Sequence, residues 1–342
     1  MATIKDVARA AGVSIGTVSA AINDTGVVSE KLTRRVWEAV EKVGYSPHAI
    51  ARSLRHGKSR IIGVIVSDLS NPFFTSLAKA VEAAARAAGY FVIVMNSDED
   101  PDKELSQLRL LREQRVAGIL LSPSGYDESY RKELARVAVM PIVLVDRTLR
   151  DMAFDAVVVE NVAAARSVTN YLLRLGHQRI AIVNGRSHIS TAEDRLRGYR
   201  EALLAAGIEP DPALEFEANS QSETAYEVVQ RALSLPSHAT AFFAANNLML
   251  LGAIEAIMDM GFRCPEQISL AGIDDFSWGS AIRPQLTTVA QPIEDLGVRA
   301  FELLLERIDE SPNENRDRKT ITLAGRLVIR DSCRALIPNT SQ

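Results

Sequence analysis

Residue types that could carry catalytic or cofactor chemistry are present, but their spacing does not fit such a site. None of the 19 glycines forms a G-x-G pair, so the fingerprint of dinucleotide binding is absent. Gly57-Lys58-Ser59 has the form of the end of a phosphate-binding loop, but that loop needs a glycine where this chain has Arg52. The five histidines, at positions 48, 56, 177, 188 and 238, lack the spacing of metal ligands. We therefore predict no enzyme, no metal and no cofactor.

Hydroxyl-bearing residues near the N-terminus fit a different chemistry, the binding of phosphates. Ser14, Thr17 and Ser19 are small enough for a phosphate to approach them and the start of a helix closely. Residues 1–60 hold ten Lys and Arg against five Asp and Glu, a net charge of +5, whereas the remaining residues have a net charge of −9. This asymmetry indicates that only the first segment binds a polyanion.

Three short helices must position these hydroxyl groups. The first has apolar residues at helical spacing from Ile4 to Ala11 and ends at Gly12. Ser14 is a suitable cap for a second helix with Val18 inside, and the third runs from about Ser29 to Gly44. Two helices of this size cannot bury a core alone, so the third must close it. The segment therefore predicts an all-α helix-turn-helix headpiece.

A fourth helix is predicted between Pro47 and Gly57, with proline near its start and glycine after its end. It has only about nine residues, fewer than the ~12–15 that an isolated helix needs in water. We expect it to form fully only when something packs on it.

From Ile61 onward, short apolar runs alternate with amphipathic helices such as Phe74–Ala88. Continuous apolar runs are typical of parallel strands that are buried on both faces. The predicted strands are Ile61–Val66, Phe91–Met95, Gly118–Leu121, Ile142–Val145, Val157–Val159, Ile180–Val183, Ala241–Ala244 and Ser269–Ile273. This order predicts doubly wound α/β structure in two lobes, with ligands bound beyond the carboxyl ends of the strands.

The chain is expected to work in the cytoplasm. Its first residues lack the apolar run of a secretion signal, and no stretch approaches the roughly 18 apolar residues of a membrane span. Its two cysteines, Cys264 and Cys333, are far apart in sequence, as suits a reducing compartment.

The sequence resembles the LacI/GalR family of bacterial transcriptional regulators over essentially its whole length. In the headpiece the resemblance lies in Thr3-Ile4-Lys5-Asp6-Val7-Ala8, Ala11-Gly12-Val13-Ser14, Thr17-Val18-Ser19, Gly44-Tyr45-Ser46-Pro47 and Ala51-Arg52-Ser53-Leu54. In the body it lies in Asn71-Pro72-Phe73-Phe74, Asp146-Arg147, Gly176-His177, Gly272-Ile273-Asp274-Asp275 and Gln291-Pro292. The order and spacing of these motifs are those of the family.

The resemblance implies that the second helix lies in the major groove of a palindromic operator. Ile15, Gly16 and Ala20 would then face the bases, and phosphates would be bound by Thr3, Ser14, Thr17, Ser19 and Asn23. Gly16 and Ala20 cannot make the bidentate contact to guanine that arginine, common at position 20 in the family, makes. We therefore expect this helix to make few direct contacts with the edges of the bases.

The fourth helix takes on greater importance by the same resemblance. In the family it folds on the operator and inserts a leucine into the minor groove, and Leu54 has that place, with Ala51 and Arg55 beside it. Such insertion costs a few kcal/mol of unstacking, which the contacts of the bent DNA offset.

For the body, the resemblance implies the two-lobed fold of periplasmic sugar-binding proteins, with chain crossings near Asn161, Gln291 and Leu323. The expected domains are residues 1–46, a hinge at 47–59, one lobe at 60–161 plus 292–323, and a second lobe at 162–291 plus 324–342. A small effector, in the first place a sugar or sugar derivative, would bind between the lobes. Its expected ligand residues are Phe73, Phe74, Asp146, Thr191, Arg195, Asn246 and Asp274.

Two departures from the family pattern, Asn247 and Glu160 where aspartates are usual, predict an unusual or charged effector. The same regulator with a nucleobase or nucleoside effector is the nearest alternative, followed by a solute-binding protein and by an enzyme on the same fold. A homodimer is expected from palindromic readout. Effector and operator binding would be coupled through the hinge, with either sign.

Overall fold

The structure, a computed structural model, describes residues 2–22, 28–45, 59–125, 127–150, 152–276, 282–310 and 317–336. The chain forms two compact units, Met1–Arg60 and Ile61–Gln342. Among the described residues, no helix combines the length and the apolar character needed to cross a membrane.

Three helices form the described part of the first unit: α1 (Ile4–Ala11), α2 (Ile15–Ile22) and α3 (Glu30–Val43). Helices α1 and α3 both end at a glycine in the left-handed conformation, which a glycine adopts without a Cβ penalty. All three helices contribute to one small core, and its fully buried centre is Val7, Val18 and Val36. The predicted headpiece helices are confirmed, including the third helix that closes the core.

The second unit alternates strands and helices, as predicted. Its strands are β1 (Ile61–Val66), β2 (Phe91–Asn96), β3 (Gly118–Leu121), β4 (Ile142–Val145), β5 (Asp155–Val159), β6 (Ile180–Asn184), β7 (Glu215–Glu217), β8 (Ala241–Ala244), β9 (Ser269–Ile273), β10 (Thr287–Ala290), β11 (Thr320–Leu323) and β12 (Arg326–Val328). Its helices are α4 (Pro72–Ala87), α5 (Pro101–Glu113), α6 (Glu128–Val137), α7 (Asn161–Arg174), α8 (Ser190–Ala205), a 3₁₀ turn (Pro212–Leu214), α9 (Ser222–Leu233), α10 (Asn247–Asp259) and α11 (Ile293–Asp309).

The strands form two six-stranded sheets with matching order. The first sheet runs β11-β5-β4-β3-β1-β2 and is parallel throughout, and the second runs β12-β10-β9-β8-β6-β7. In the second sheet β12 is antiparallel to β10, whereas the other described pairs are parallel. The chain passes from one sheet to the other after β5, after β10 and after β11.

One strand differs from the sequence prediction in its burial. Phe91–Met95 was expected to be a buried strand, but β2 is the last strand of the first sheet, and Phe91 is 72% exposed. Ile93 and Val94 are also exposed. An apolar run predicts that a strand exists but does not show which strand lies at the edge, so the expected burial was wrong.

Candidate functional site

The start of α2 forms a small polar platform on the first unit. The Ser14 hydroxyl accepts a hydrogen bond from the Thr17 backbone N–H (3.0 Å) and lies 2.9 Å from the Thr17 hydroxyl. Ser14 therefore caps the helix, as the sequence predicted, and the first turn is held rigidly. Ile15 is 42% exposed and Gly16 is exposed, so this turn offers one apolar side chain and bare backbone to a partner.

The other predicted DNA contacts in this unit are also placed at least partly on the surface. Thr3 is exposed and donates from its hydroxyl to Asp6 (2.7 Å), whereas Ser19 and Ala20 are half-buried. The remaining predicted DNA contacts, Asn23, Ala51, Leu54 and Arg55, lie outside the described residues.

In the second unit, the carboxyl ends of strands from both sheets meet at a cleft with a cavity of about 40 Å³. All seven predicted effector residues line this cavity: Phe73, Phe74, Asp146, Thr191, Arg195, Asn246 and Asp274. Six further residues complete the lining: Asp68, Asn71, Glu99, Arg147, Ser220 and Gln291. The loops after β1, β2 and β4 and the start of α4 supply one side, and the start of α8 and the loops after β7, β8 and β9 supply the other. Gln291 follows β10.

Asp146 and Asp274 have equivalent places in the two sheets. Each follows a strand directly, has a left-handed backbone (φ 70° and 76°), and donates its N–H to the neighbouring strand at 3.0 Å, to Val157 and Val289 respectively. Left-handed backbone is uncommon for residues other than glycine and clusters at functional sites. Burial raises the pKa of Asp146 to about 6 and also raises the pKa of Asp274.

Arg195 lies near both aspartates but forms no ion pair with either of them among the described residues. Among the described residues, its Nε donates to the Asn161 side chain (2.8 Å) and its guanidinium donates to the Ala245 carbonyl (2.6 Å). Its positive charge counteracts part of the upward pKa shift of each aspartate. Arg195 is therefore held in a fixed orientation by neutral groups. Each oxygen of Asp274 already accepts one hydrogen bond, from the Gln291 amide and from the Asn247 N–H (3.3 Å), so a ligand hydroxyl would use a remaining lone pair.

A second arginine stands against the aromatic side of the cavity. Arg147 forms a two-pronged ion pair with Glu99 (2.8 and 2.6 Å), and its guanidinium lies 5.8 Å from the ring centre of Phe74. Burial alone would raise the pKa of Glu99, but Arg147 outweighs this effect and lowers it. The rings of Phe73 and Phe74 pack edge to face, 5.1 Å apart. The aromatic side is thus rigid and partly covered by a cation.

Direct hydrogen bonds connect the two sides of the cleft. The Asn247 amide donates to the Asn71 side chain (2.9 Å), and the Thr148 N–H donates to the Ser190 hydroxyl (2.9 Å). Asn71 also caps α4 by accepting from the Phe73 N–H (2.9 Å). Asn71 therefore both caps the helix that carries Phe73 and Phe74 and joins the two sides of the cleft.

The sequence prediction omitted six of the lining residues. Asp68, Asn71, Glu99 and Arg147 lie in loops that follow predicted strands, so their position was the available signal. Ser220 follows β7, a strand that lacks an apolar run, and Gln291 lies on a crossing between sheets. No spacing rule pointed to these last two.

The comparisons with known proteins agree over both units. Residues 3–48 match the family of bacterial regulatory proteins described as the lacI family. Residues 59–329 match the family described as periplasmic binding proteins and sugar binding domain of the LacI family.

Individual relatives cover nearly the whole chain. The HTH-type transcriptional repressor PurR of Aliivibrio salmonicida (strain LFI1238) is 37% identical over 316 residues, which are 92% of this chain and 95% of the relative. A lac repressor dimer solved with its operator and the anti-inducer ONPF is 28% identical, with a TM-score of 0.86, over 98% of this chain and 99% of that chain. A complex of the regulator CelR with cellobiose is also 28% identical, with a TM-score of 0.72, over 97% and 100% of the two chains.

Proposed function

Because this chain belongs to the LacI family and is a DNA-binding repressor switched by a small ligand, we propose that its ligand is a sugar or sugar derivative held in the cleft. It is a regulator and not an enzyme. We also propose cytoplasmic action, with residues 60–161 and 292–323 as one lobe and residues 162–291 and 324–342 as the other.

The polar lining of the cleft carries the effector proposal. Of the thirteen lining residues only two, Phe73 and Phe74, are apolar, and they form a single side. A sugar has hydroxyl groups around its whole edge, each of which both donates and accepts, and one apolar ring face. Asp146 and Asp274 would accept from hydroxyls, and Arg195 would donate to them. A flat nucleobase is better matched by apolar surfaces on two opposite sides, and no second apolar side is present among the described lining residues.

A nucleobase or nucleoside is the second candidate. The relative from Aliivibrio salmonicida carries the name PurR, whereas one solved structure is a complex with cellobiose. The relatives thus leave two effector classes to be separated by binding.

Coupling to DNA would come from movement of the lobes. A cavity of about 40 Å³ is far below the ~300 Å³ or more of typical ligand pockets. A sugar must therefore part the lobes and break cross-cleft bonds such as Asn247–Asn71. In a dimer on a palindrome, that displacement would change the spacing of the two hinge segments and so the affinity for the operator.

The test is a thermal-shift and calorimetry screen of the full chain against neutral sugars, nucleobases and nucleosides. We expect a sugar to bind, and we expect Arg195→Ala to reduce the affinity at least about tenfold through the loss of a charged hydrogen bond. The control is Arg197→Ala on the same helix, because Arg197 is 54% exposed and bonded to Asp194 outside the cleft. Binding of a nucleobase in place of every sugar would establish the second candidate instead.

A further inference from the structure

We propose that the effector is a phosphorylated sugar, with its ring in the cleft and its phosphate in a second cavity beside it. This inference rests on the proposed function and narrows it to one class of sugar. The second cavity has a volume of about 250 Å³ and lies between the loop after β3, the loop after β4 and the start of α8.

The two cavities adjoin through shared loops. Arg147 lines both of them. Asp146 lines the cleft while its near neighbour Thr148 lines the second cavity, and Thr191 and Ser190 divide in the same way. A single ligand of modest length can therefore reach from one cavity into the other.

The cavities differ in the sign of their charge. Four carboxylates (Asp68, Glu99, Asp146, Asp274) and two guanidiniums line the cleft, giving an excess of negative charge. Three guanidiniums (Arg131, Arg147, Arg150) and one carboxylate, Glu193, line the second cavity. Arg147 is already paired with Glu99 of the cleft, but Arg131 and Arg150 against Glu193 still give an excess of positive charge. A ligand with hydroxyl donors at one end and an anion at the other matches both.

Two details of the second cavity favour a phosphate over another neutral ring. The start of α8 lines the cavity at Ile189 and Ser190, and a helix N-terminus attracts anions. Apart from the imidazole of His188, no aromatic ring lines this cavity among the described residues, whereas arginine is the preferred partner of phosphate oxygens.

The cavity is also spanned by a contact that a phosphate would rearrange. Arg150 forms an ion pair with Glu193, which joins the loop after β4 to α8. Arg131 donates to the backbone carbonyl of Arg150 (3.4 Å). A phosphate bound by Arg131 and Arg150 would replace the Glu193 carboxylate as the anion that joins the two sides.

The experiment compares matched pairs of probes by isothermal titration on the full chain: glucose with glucose 6-phosphate, fructose with fructose 6-phosphate, and ribose with ribose 5-phosphate. We expect at least one phosphorylated sugar to bind about tenfold or more tightly than its neutral partner. Arg131→Gln should remove most of that preference, and Arg131→Gln combined with Arg150→Gln should remove it fully. Arg136→Gln is the control, because Arg136 lies on the same helix α6, 78% exposed and outside the cavity.

The outcomes separate the two proposals. Neutral sugars that bind as tightly as their phosphates, or a phosphate preference that survives Arg131→Gln, would overturn this inference and leave the sugar proposal standing. Cellobiose serves as a neutral ligand of two rings, and its binding in preference to every phosphorylated sugar would overturn the inference in the same way. Failure of all sugars, neutral and phosphorylated, would overturn both proposals.

Discussion

At the scale of single residues, the protein buries a carboxyl group whose charged form opposes folding. Glu104 is completely buried in the first lobe, where it accepts hydrogen bonds from the Ser124 N–H (2.9 Å) and from the Tyr130 hydroxyl. Burial raises its pKa to about 7, because the opposing effects of the two hydrogen bonds and of the Arg147 charge are smaller than the effect of burial. The loop from Ser122 to Gly125, which Glu104 holds through Ser124, borders the second cavity.

The raised pKa of Glu104 predicts a stability that depends on pH. An unfolded glutamate has a pKa near 4.3, so folding takes up a proton at this site between about pH 4.3 and 7. The stability that the protonated form contributes is complete below that window and is lost as the pH rises through about 7. Glu104→Gln removes this titration. We expect the unfolding free energy of the variant minus that of the unchanged protein to rise by roughly 2–3 kcal/mol from pH 5 to pH 8.

Urea unfolding at four pH values would measure this difference. Glu133→Gln is the control, because its hydrogen bond with Arg109 lowers the pKa of Glu133, and any effect of its titration lies below pH 5. A difference for Glu104→Gln that is as flat between pH 5 and 8 as that of the control would contradict the assignment.

At the scale of elements, the sequence predicted those whose signal is local. Helices α1 and α3 each have an apolar stripe and a terminal glycine, and most strands are continuous apolar runs. These signals depend on neighbours along the chain, so they are visible without the fold.

The elements that the sequence missed depend on distant partners. Strands β7, β11 and β12 are short and carry charged or polar residues, because each lies at the edge of a sheet where one side faces solvent. Strand β10 was also missed: it lies inside the second sheet, between β9 and β12, but two of its four residues are threonines, so it has no continuous apolar run. The candidate cleft divides in the same way. Asp68, Asn71, Glu99 and Arg147 follow predicted strands, so position alone could have added them to the predicted site, whereas Ser220 and Gln291 follow β7 and β10, two strands that the sequence did not predict.

The predicted hinge helix remains an inference from sequence, since all of it, residues 47–57, lies outside the described residues. We expect Leu54→Ala to weaken binding to the specific palindrome by about a hundredfold, because the minor-groove wedge and the DNA bend that it supports are lost. Gel shifts on a site selected from random DNA would measure this effect. Effector binding by the same variant should be unchanged. Equal affinity of the variant and the original protein for the palindrome would refute the wedge.

At the scale of the whole molecule, the proposed switch requires that a lobe moves relative to something that is held in place. The two sides of the cleft in one chain are also joined by the bond from Arg186 to the carbonyl of the cleft residue Glu99 (3.3 Å). Movement within one chain changes the DNA complex only if a second copy holds the first in register. LacI-family repressors form dimers, and the solved lac repressor relative is a dimer on its operator.

We expect the exposed apolar edge strand β2 to lie in the dimer interface. Phe91 is 72% exposed, with Ile93 and Val94 beside it, and an apolar edge left open to solvent favours association. Phe91→Glu should therefore convert the dimer to a monomer in analytical ultracentrifugation. It should also weaken binding to the palindrome about tenfold or more. The unfolding midpoint of the monomeric chain should be unchanged. Val139→Glu is the matched control, because Val139 is 73% exposed but lies on the loop after α6. A Phe91→Glu variant that still sediments as a dimer would place the interface on another face, because a glutamate at the centre of an apolar contact leaves a buried charge without a partner.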